Sequence, residues 1–314
     1  MPGSPSPGLR LTGRCRRLLP WVALCCASGA AGAQTVAEQV TADLRDAGKD
    51  MVAVWSSPFH ATSRDWLLSV GVLGLSAAAT RVDPSVDRWA VDHAGAAQFR
   101  ILKEVRQGGA AYAGHTVVPF ALAAYGAGVV TRSRDVRDGI MGCAASYASE
   151  SLARTQVVYR LVARARPDTI RAHDPDAAPP PPAGEGSQYG FSTPGSSDWV
   201  KHSFPGGHVA NIVSCVTFLS HRFHMGVAEP AMYAVAAGVG LGRLLDRAHW
   251  TSDQVFGAFV GYAIGRQVAA RSIARARRGA DAGSPTAESA GASATPLRFV
   301  PAGGGVALSW RWSF

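Results

Sequence analysis

The chain has 314 residues, 47% hydrophobic and 17% charged, with 31 Lys and Arg against 22 Asp and Glu and a formal net charge of +9. That length holds one large domain or two small ones around a sizeable core. The positive charge is almost wholly arginine, the only lysines being Lys49, Lys103 and Lys201. It suits phosphate, anionic lipid or nucleic acid, and the lack of zinc-finger spacing or an aromatic-basic RNA motif discounts nucleic acid.

Residues 1–33 read as a secretory signal peptide. Arg10, Arg14, Arg16 and Arg17 form a basic region, Leu18 to Ala27 an apolar core, and Ala31-Gly32-Ala33 a small-residue cleavage site. The expected location is therefore the cell envelope, with the functional site facing the periplasm. Cys15, Cys25 and Cys26 would leave with the signal. Cys143 and Cys215 sit in apolar helical patterns and are expected as two buried free thiols, although an oxidising compartment would let them pair.

Residues 34–63 give an amphipathic helix (Val36, Val40, Leu44, Met51) and a turn at Trp55-Ser-Ser-Pro. Residues 64–278 contain six apolar helical segments: Trp66–Ala79, Thr116–Val130, Ile140–Leu161, Val209–Leu219, Ala231–Leu245 and Val255–Ile264. The predicted class is all-α, a six-helix core bundle. A Pro-, Gly- and Ser-rich loop over 168–202 either shapes access to a site or is a surface insertion. Residues 279–296 read as a low-complexity linker, and 297–314 as a β-hairpin tail around Gly303-Gly304-Gly305.

A membrane-spanning helix needs about twenty apolar residues. Most runs here are shorter, and the longest is interrupted by Glu150 and Arg154. A cleaved signal puts residue 34 outside, whereas Arg132, Arg134, Arg137 and the arginines of 271–278 suit six spans with both ends inside. The expectation is a periplasmic helical domain lying on, or partly in, the membrane.

The stretch Gly242–Asp253, GRLLDRAHWTSD, carries the most chemistry. His249 and Asp253 are four apart and share a helix face, where a carboxylate can hold one imidazole nitrogen protonated and leave the other as nucleophile or base. Arg243 adds a guanidinium fork for phosphate or carboxylate. Upstream, Pro205-Gly206-Gly207-His208 opens a helix, and glycine-turn N–H groups at a helix start make an anion cradle. Further upstream, Arg164-Ala165-Arg166-Pro167 closes a long helical pattern. His221 and His224, near a helix end, and the isolated His60, His93, His115, His173 and His202 carry no such pattern, though His202 is close enough to line the second block.

In these three ordered blocks the chain resembles the type 2 phosphatidic acid phosphatase superfamily, which includes bacterial acid phosphatases and vanadium haloperoxidases. The family pattern is Lys-x6-Arg-Pro, Pro-Ser-Gly-His and Ser-Arg-x5-His-x3-Asp. The resemblance, over roughly residues 60 to 270, implies a lipid phosphatase or pyrophosphatase that uses no metal and no cofactor. It implies His249 as the nucleophile that forms a phosphohistidine, Asp253 orienting its ring, and His208 protonating the leaving oxygen. Arg166, Arg243 and the N–H groups near Gly206 and Gly207 would hold the phosphoryl oxygens. The implied partners are a phosphorylated lipid or other phosphate ester and a membrane surface.

Three positions depart from the pattern. Tyr159 stands in the lysine slot, with Arg160 beside it and Arg164 nearby as replacement cations. Gly206 and Gly242 each replace a serine. Gly206→Ser is therefore expected to raise turnover, unless the glycine needs a positive φ. The alternatives are a vanadium haloperoxidase-like enzyme and a catalytically weakened, non-enzymatic envelope protein whose tail makes an envelope contact.

Overall fold

The computed structural model describes residues 35–93, 95–99, 117–168, 190–282, 297–302 and 305–310. The signal segment, residues 169–189 of the Pro-rich loop, His115, His173 and residues 283–296 of the linker lie outside the described residues. The chain divides into two compact units, Met1–Ser272 and Ile273–Phe314.

The fold is all-α. Helix α1 (Val36–Ser56) starts at a capping box in which Thr35 and Glu38 exchange hydrogen bonds. The expected apolar stripe is only partly the face it buries: Val40 and Met51 are half-buried, Val36 and Leu44 point outward, and Gln39 and Asp50 are inside. Polar partners explain the reversal. Asp43 accepts from Arg137 at 2.9 Å and from Tyr125 at 2.8 Å, and Gln39 also accepts from Arg137. Met51 and Val54 add apolar packing, so α1 belongs to the same unit as the helices after it.

Helix α2 (Ser63–Ala79) repeats the device with Thr62 and Asp65. Of its residues only Ser76 is buried, its hydroxyl donating to the Ser252 carbonyl at 2.8 Å. Helix α3 (Asp83–His93) was not among the expected helices, because its few apolar residues give no strong period. Asp-Pro at its start is the signal that marks it. It buries Asp83 and Asp87.

Helices α4 (Val117–Val130) and α5 (Arg134–Leu152) come next. Helix α5 continues through a π-helical turn, Ala153–Val158, into Tyr159–Leu161. Strand β1 (Ala163–Arg164) then pairs antiparallel with β2 (Phe191–Ser192). Helices α6 (Gly207–Phe223), α7 (Ala228–Leu245) and α8 (Thr251–Ala282) complete the set. In the second unit, β3 (Leu297–Ala302) pairs antiparallel with β4 (Gly305–Trp310).

The core lies where α5, α6 and α8 meet: Ala145, Phe218, Ile264, Val268 and Ala269, with Leu219 and Phe223 against them. Two glycine devices bring these helices close. A Cβ on Gly142 would lie 2.0 Å from the Phe218 ring. Cβ atoms on Gly257, Gly261 and Gly265 would lie 2.3, 2.3 and 2.2 Å from the carbonyls of Pro205, Ala210 and Ser214. This stripe, spaced four apart on α8, lets the start of α6 lie directly on it. Among the described residues, no helix is long and apolar enough to cross a membrane.

Cys143 and Cys215 form a disulfide, correcting the expectation of free thiols. Their Cα atoms are 4.5 Å apart at facing positions of α5 and α6. Helical pattern in the sequence cannot reveal that facing. The bond closes a loop of 72 residues, for which chain entropy gives about 4 kcal/mol. Reduction, or the Cys143→Ser/Cys215→Ser pair, is expected to lower the urea midpoint by a matching amount. Unchanged midpoints with and without reductant would refute this.

Candidate active site

The floor of the site is a buried guanidinium. Arg164, on β1, donates to Asp83 at 2.8 Å, to Asp253 at 2.5 Å and to Ser252 at 2.7 Å. Its plane lies near the rings of Trp250 and Phe191. Asp83 in turn accepts from the Ser252 N–H at 3.0 Å and hydroxyl at 2.6 Å, capping the first turn of α8. Beside it, Arg247 makes a two-pronged pair with Asp87 at 2.7 and 2.9 Å. Helix α3 thus supplies one carboxylate to each of these two arginines, Asp83 to Arg164 and Asp87 to Arg247.

His249 stands on this floor, 2% exposed. Its Nδ1 donates to the Ser203 carbonyl at 2.6 Å, which leaves Nε2 with the lone pair. Nε2 faces Nδ1 of His208, 3.4 Å away on the first turn of α6. Asp253 does not orient His249 directly, contrary to the expected pairing. Its carboxylate accepts from Arg164, from the Ser203 hydroxyl at 2.5 Å and from the Trp250 N–H at 2.9 Å. Asp253 begins α8 while His249 precedes it, so the two do not share a helix face. Asp253 fixes Ser203, and the Ser203 carbonyl fixes the ring.

The glycine turn sits above the histidines. Gly206 caps α6 with φ +71° and ψ 50°, the left-handed region. A Cβ there would lie 2.6 Å from the Asp253 carbonyl oxygen. The serine of the family pattern therefore has no room here. First-turn N–H groups of a helix lack intrahelical acceptors, so those of Gly207 and His208 are available to an anion at this helix start.

Arg166 donates to the carbonyls of Trp199 and Ala248, both at 3.3 Å, and lies over the Trp199 ring. Arg243 ends α7, 3.5 Å from Asp246. Both arginines act on the histidines. Burial, then the charges of Arg243, Arg166 and Arg154, pushes His208 down to about 3. Burial, then Arg166, His208 and Arg243, holds His249 well below the usual imidazole range. Arg166 is itself lowered by burial and by Arg243. Both imidazoles are neutral at pH 7, and the cations around them are pressed together.

Of the residues singled out from sequence, His208, His249, Arg166, Arg243, Gly206 and Gly207 converge, and Asp253 joins through Ser203. Arg160 does not: it is exposed and donates to Gln156 at 2.9 Å. The π-helical turn is the reason, since the residue it inserts rotates the later side chains by about a hundred degrees. Arg164 is committed to its carboxylates. Asp83, Asp87, Ser203, Ser252 and Arg154 were missed. Only the Asp-Pro helix start at Asp83 carried a sequence signal; the others depend on contacts between segments far apart in the chain.

Residues 139–276 match the family model described as the PAP2 superfamily. Among curated proteins, the chain is 33% identical over 84 residues to the lipid A 1-phosphatase of Porphyromonas gingivalis. That stretch is 25% of this chain and spans only 18% of the relative's length. No solved structure matches the chain significantly.

Gly206→Ser, expected from sequence to raise turnover, is instead expected to lower stability by at least about 2 kcal/mol, from left-handed strain and the contact with α8. A thermal melt of the variant beside the native chain checks this, and an unchanged midpoint would restore the sequence expectation. A second expectation concerns acid. The folded-state value of His208 lies below its unfolded value of about 6.5, so the unfolded chain binds more protons as pH falls and stability is lost. Urea midpoints should fall between pH 7 and 4, and less steeply for His208→Gln. Parallel slopes would exclude His208 as a source of the acid sensitivity.

Proposed function

We propose, from the match of residues 139–276 to the PAP2 superfamily model together with the site geometry, that this chain belongs to that superfamily and is a metal-independent phosphatase acting on a lipid phosphate or pyrophosphate through a phosphohistidine. One observation carries the reading. A buried His249, its Nδ1 proton held by the Ser203 carbonyl, turns its Nε2 lone pair to Nδ1 of His208 on the first turn of a helix, with arginines around both. That is a nucleophile, a proton carrier and an anion cradle in one place.

His249 Nε2 attacks phosphorus with its lone pair as the bond to the leaving oxygen breaks. His208 supplies the proton that oxygen takes. His208 is held neutral by burial first and by the arginine charges second; a dianionic phosphoryl group among the arginines offsets those charges and adds an anion beside the ring, so the proton is taken up with the substrate. Water then attacks phosphorus, His208 accepts its proton, and the P–N bond breaks to release phosphate. Arg166, Arg243 and the cradle N–H groups stabilise the equatorial oxygens throughout. The charge a metal would neutralise elsewhere is carried here by guanidinium groups.

A lipid substrate is supported by the surface. On α2, Trp66, Leu67, Leu68, Val70, Leu73 and Leu75 are all more than half exposed, while Ser76 faces inward. On α4, Phe120 and Leu122 are 72% and 66% exposed. Patches of this kind mark membrane or partner contacts. The matched relative is named for a phosphate on lipid A, which points to the same chemical class. The Cys143–Cys215 bond supports an oxidising compartment and so a periplasmic site.

Phosphate release from phosphatidic acid or p-nitrophenyl phosphate tests the assignment. His249→Ala should abolish release and His221→Ala should leave it nearly intact, with competitive inhibition by vanadate and none by EDTA. Equal losses in the two variants would remove His249 as nucleophile, EDTA sensitivity restored by a divalent ion would overturn the metal-free mechanism, and a folded native chain with no release would favour the non-enzymatic reading.

A further inference from the structure

Within that phosphatase reading, the lysine slot of the first block holds Tyr159 and the site lacks that block's cation. We infer that Arg154 supplies it: its guanidinium, carried to the mouth of α6 by the π-helical turn and pinned there by Glu150 and Tyr159, binds the phosphoryl oxygens.

The backbone accounts for the placement. In an α-helix, residues five apart point in widely different directions. In the π-helical turn the Tyr159 N–H reaches back to the Arg154 carbonyl, five residues earlier, so the two side chains fall side by side. The Tyr159 hydroxyl accepts from Arg154 Nη1 at 3.0 Å. Arg154 Nε donates to Glu150 at 2.9 Å, a carboxylate whose side chain is 1% exposed. The Tyr159 ring is itself fixed, stacked on His202 with centroids 3.9 Å apart.

The guanidinium then lies across the start of α6. A Cβ on Gly207 would lie 2.3 Å from Arg154 Nε and 2.7 Å from Cζ. Gly207 is thus both a cradle residue and the opening over which Arg154 lies. The charge is felt where phosphate would sit, since Arg154 is among the groups that depress both His208 and Arg166. The nearer candidates are occupied: Arg160 is on the surface with Gln156, and Arg164 is held by Asp83 and Asp253.

A lysine side chain reaches about as far as a tyrosine's. A lysine at 159 would therefore place its ammonium beside the Arg154 guanidinium, repelling it, unless Arg154 were gone. This predicts opposite effects of one substitution in two backgrounds. In the full chain, Arg154→Ala should lower kcat/KM roughly 30- to 1,000-fold and weaken vanadate inhibition in parallel. Tyr159→Lys alone should lower activity, whereas Tyr159→Lys added to Arg154→Ala should recover about tenfold or more. Arg154→Ala strands a buried carboxylate, so Glu150→Gln/Arg154→Ala against Glu150→Gln is the comparison that keeps the fold.

The inference is overturned if the folded Glu150→Gln/Arg154→Ala chain stays within about threefold of Glu150→Gln in kcat/KM and vanadate inhibition. It is also overturned if Tyr159→Lys acts in the same direction in both backgrounds. A native chain that neither releases phosphate nor binds vanadate overturns the phosphatase reading itself, and this inference with it. A native chain that does both, with Arg154 replaceable, overturns this inference alone.

Discussion

The buried guanidinium of Arg164 is the joint on which the site rests. It lies between the carboxylates of Asp83 and Asp253, from α3 and α8, which are far apart in the chain. All three side chains are shut off from solvent. Removing one partner from such a cluster strands a buried charge, at about 3–5 kcal/mol. The cluster is also directional. From Arg164 a continuous path runs through Asp253 and the Ser203 hydroxyl to the Ser203 carbonyl and the His249 ring. A second path runs through Asp83 to the first turn of α8. The imidazole is therefore aimed by the backbone, and the backbone is aimed by the ion cluster.

Above that floor the electrostatics reverse. Burial and then the charges of Arg243, Arg166 and Arg154 depress His208, and burial and then Arg243 depress Arg166 in turn. Crowding like charges in a partly desolvated pocket is unfavourable in the empty state. In the proposed mechanism a phosphoryl dianion would relieve that repulsion and raise the basicity of His208 in the same event. On that proposal, binding and protonation would be coupled by the field of the same arginines. Burial first, and then Arg166, His208 and Arg243, hold His249 well below the usual imidazole range, which keeps its Nε2 lone pair unprotonated as the proposed attack requires.

The outer surface obeys a different rule. Helix α2 turns Ser76 towards the protein and its leucines and tryptophan outward, the inverse of a helix on a water-soluble core. Seventeen residues of helix extend about 25 Å, short of a bilayer's hydrocarbon thickness of about 30 Å. Under the proposed lipid-phosphatase reading, a face of this size and polarity suits a helix that meets a lipid surface.

Block order, spacing and the helix-breaking Pro-Gly-Gly were legible in the chain because they are local. They set out His208, His249, Arg166 and Arg243, and the periodic segments gave the all-α class. Locality also set the limit. Helix α3 escaped because its buried face is carboxylate, and hydrophobic periodicity cannot register a face that is paired rather than apolar. Asp253 looked like the partner of His249 because four residues separate them; the helix starts between the two, and Ser203 came in from the other side. The lysine position proved to be a tyrosine that holds an arginine, visible only once a π-helical turn had brought residues 154 and 159 together. Sequence determined which chemical groups this protein carries and in what order. Tertiary structure decided which of them meet, because ion pairing, disulfide facing and close backbone approach depend on distances between segments that no spacing along the chain encodes.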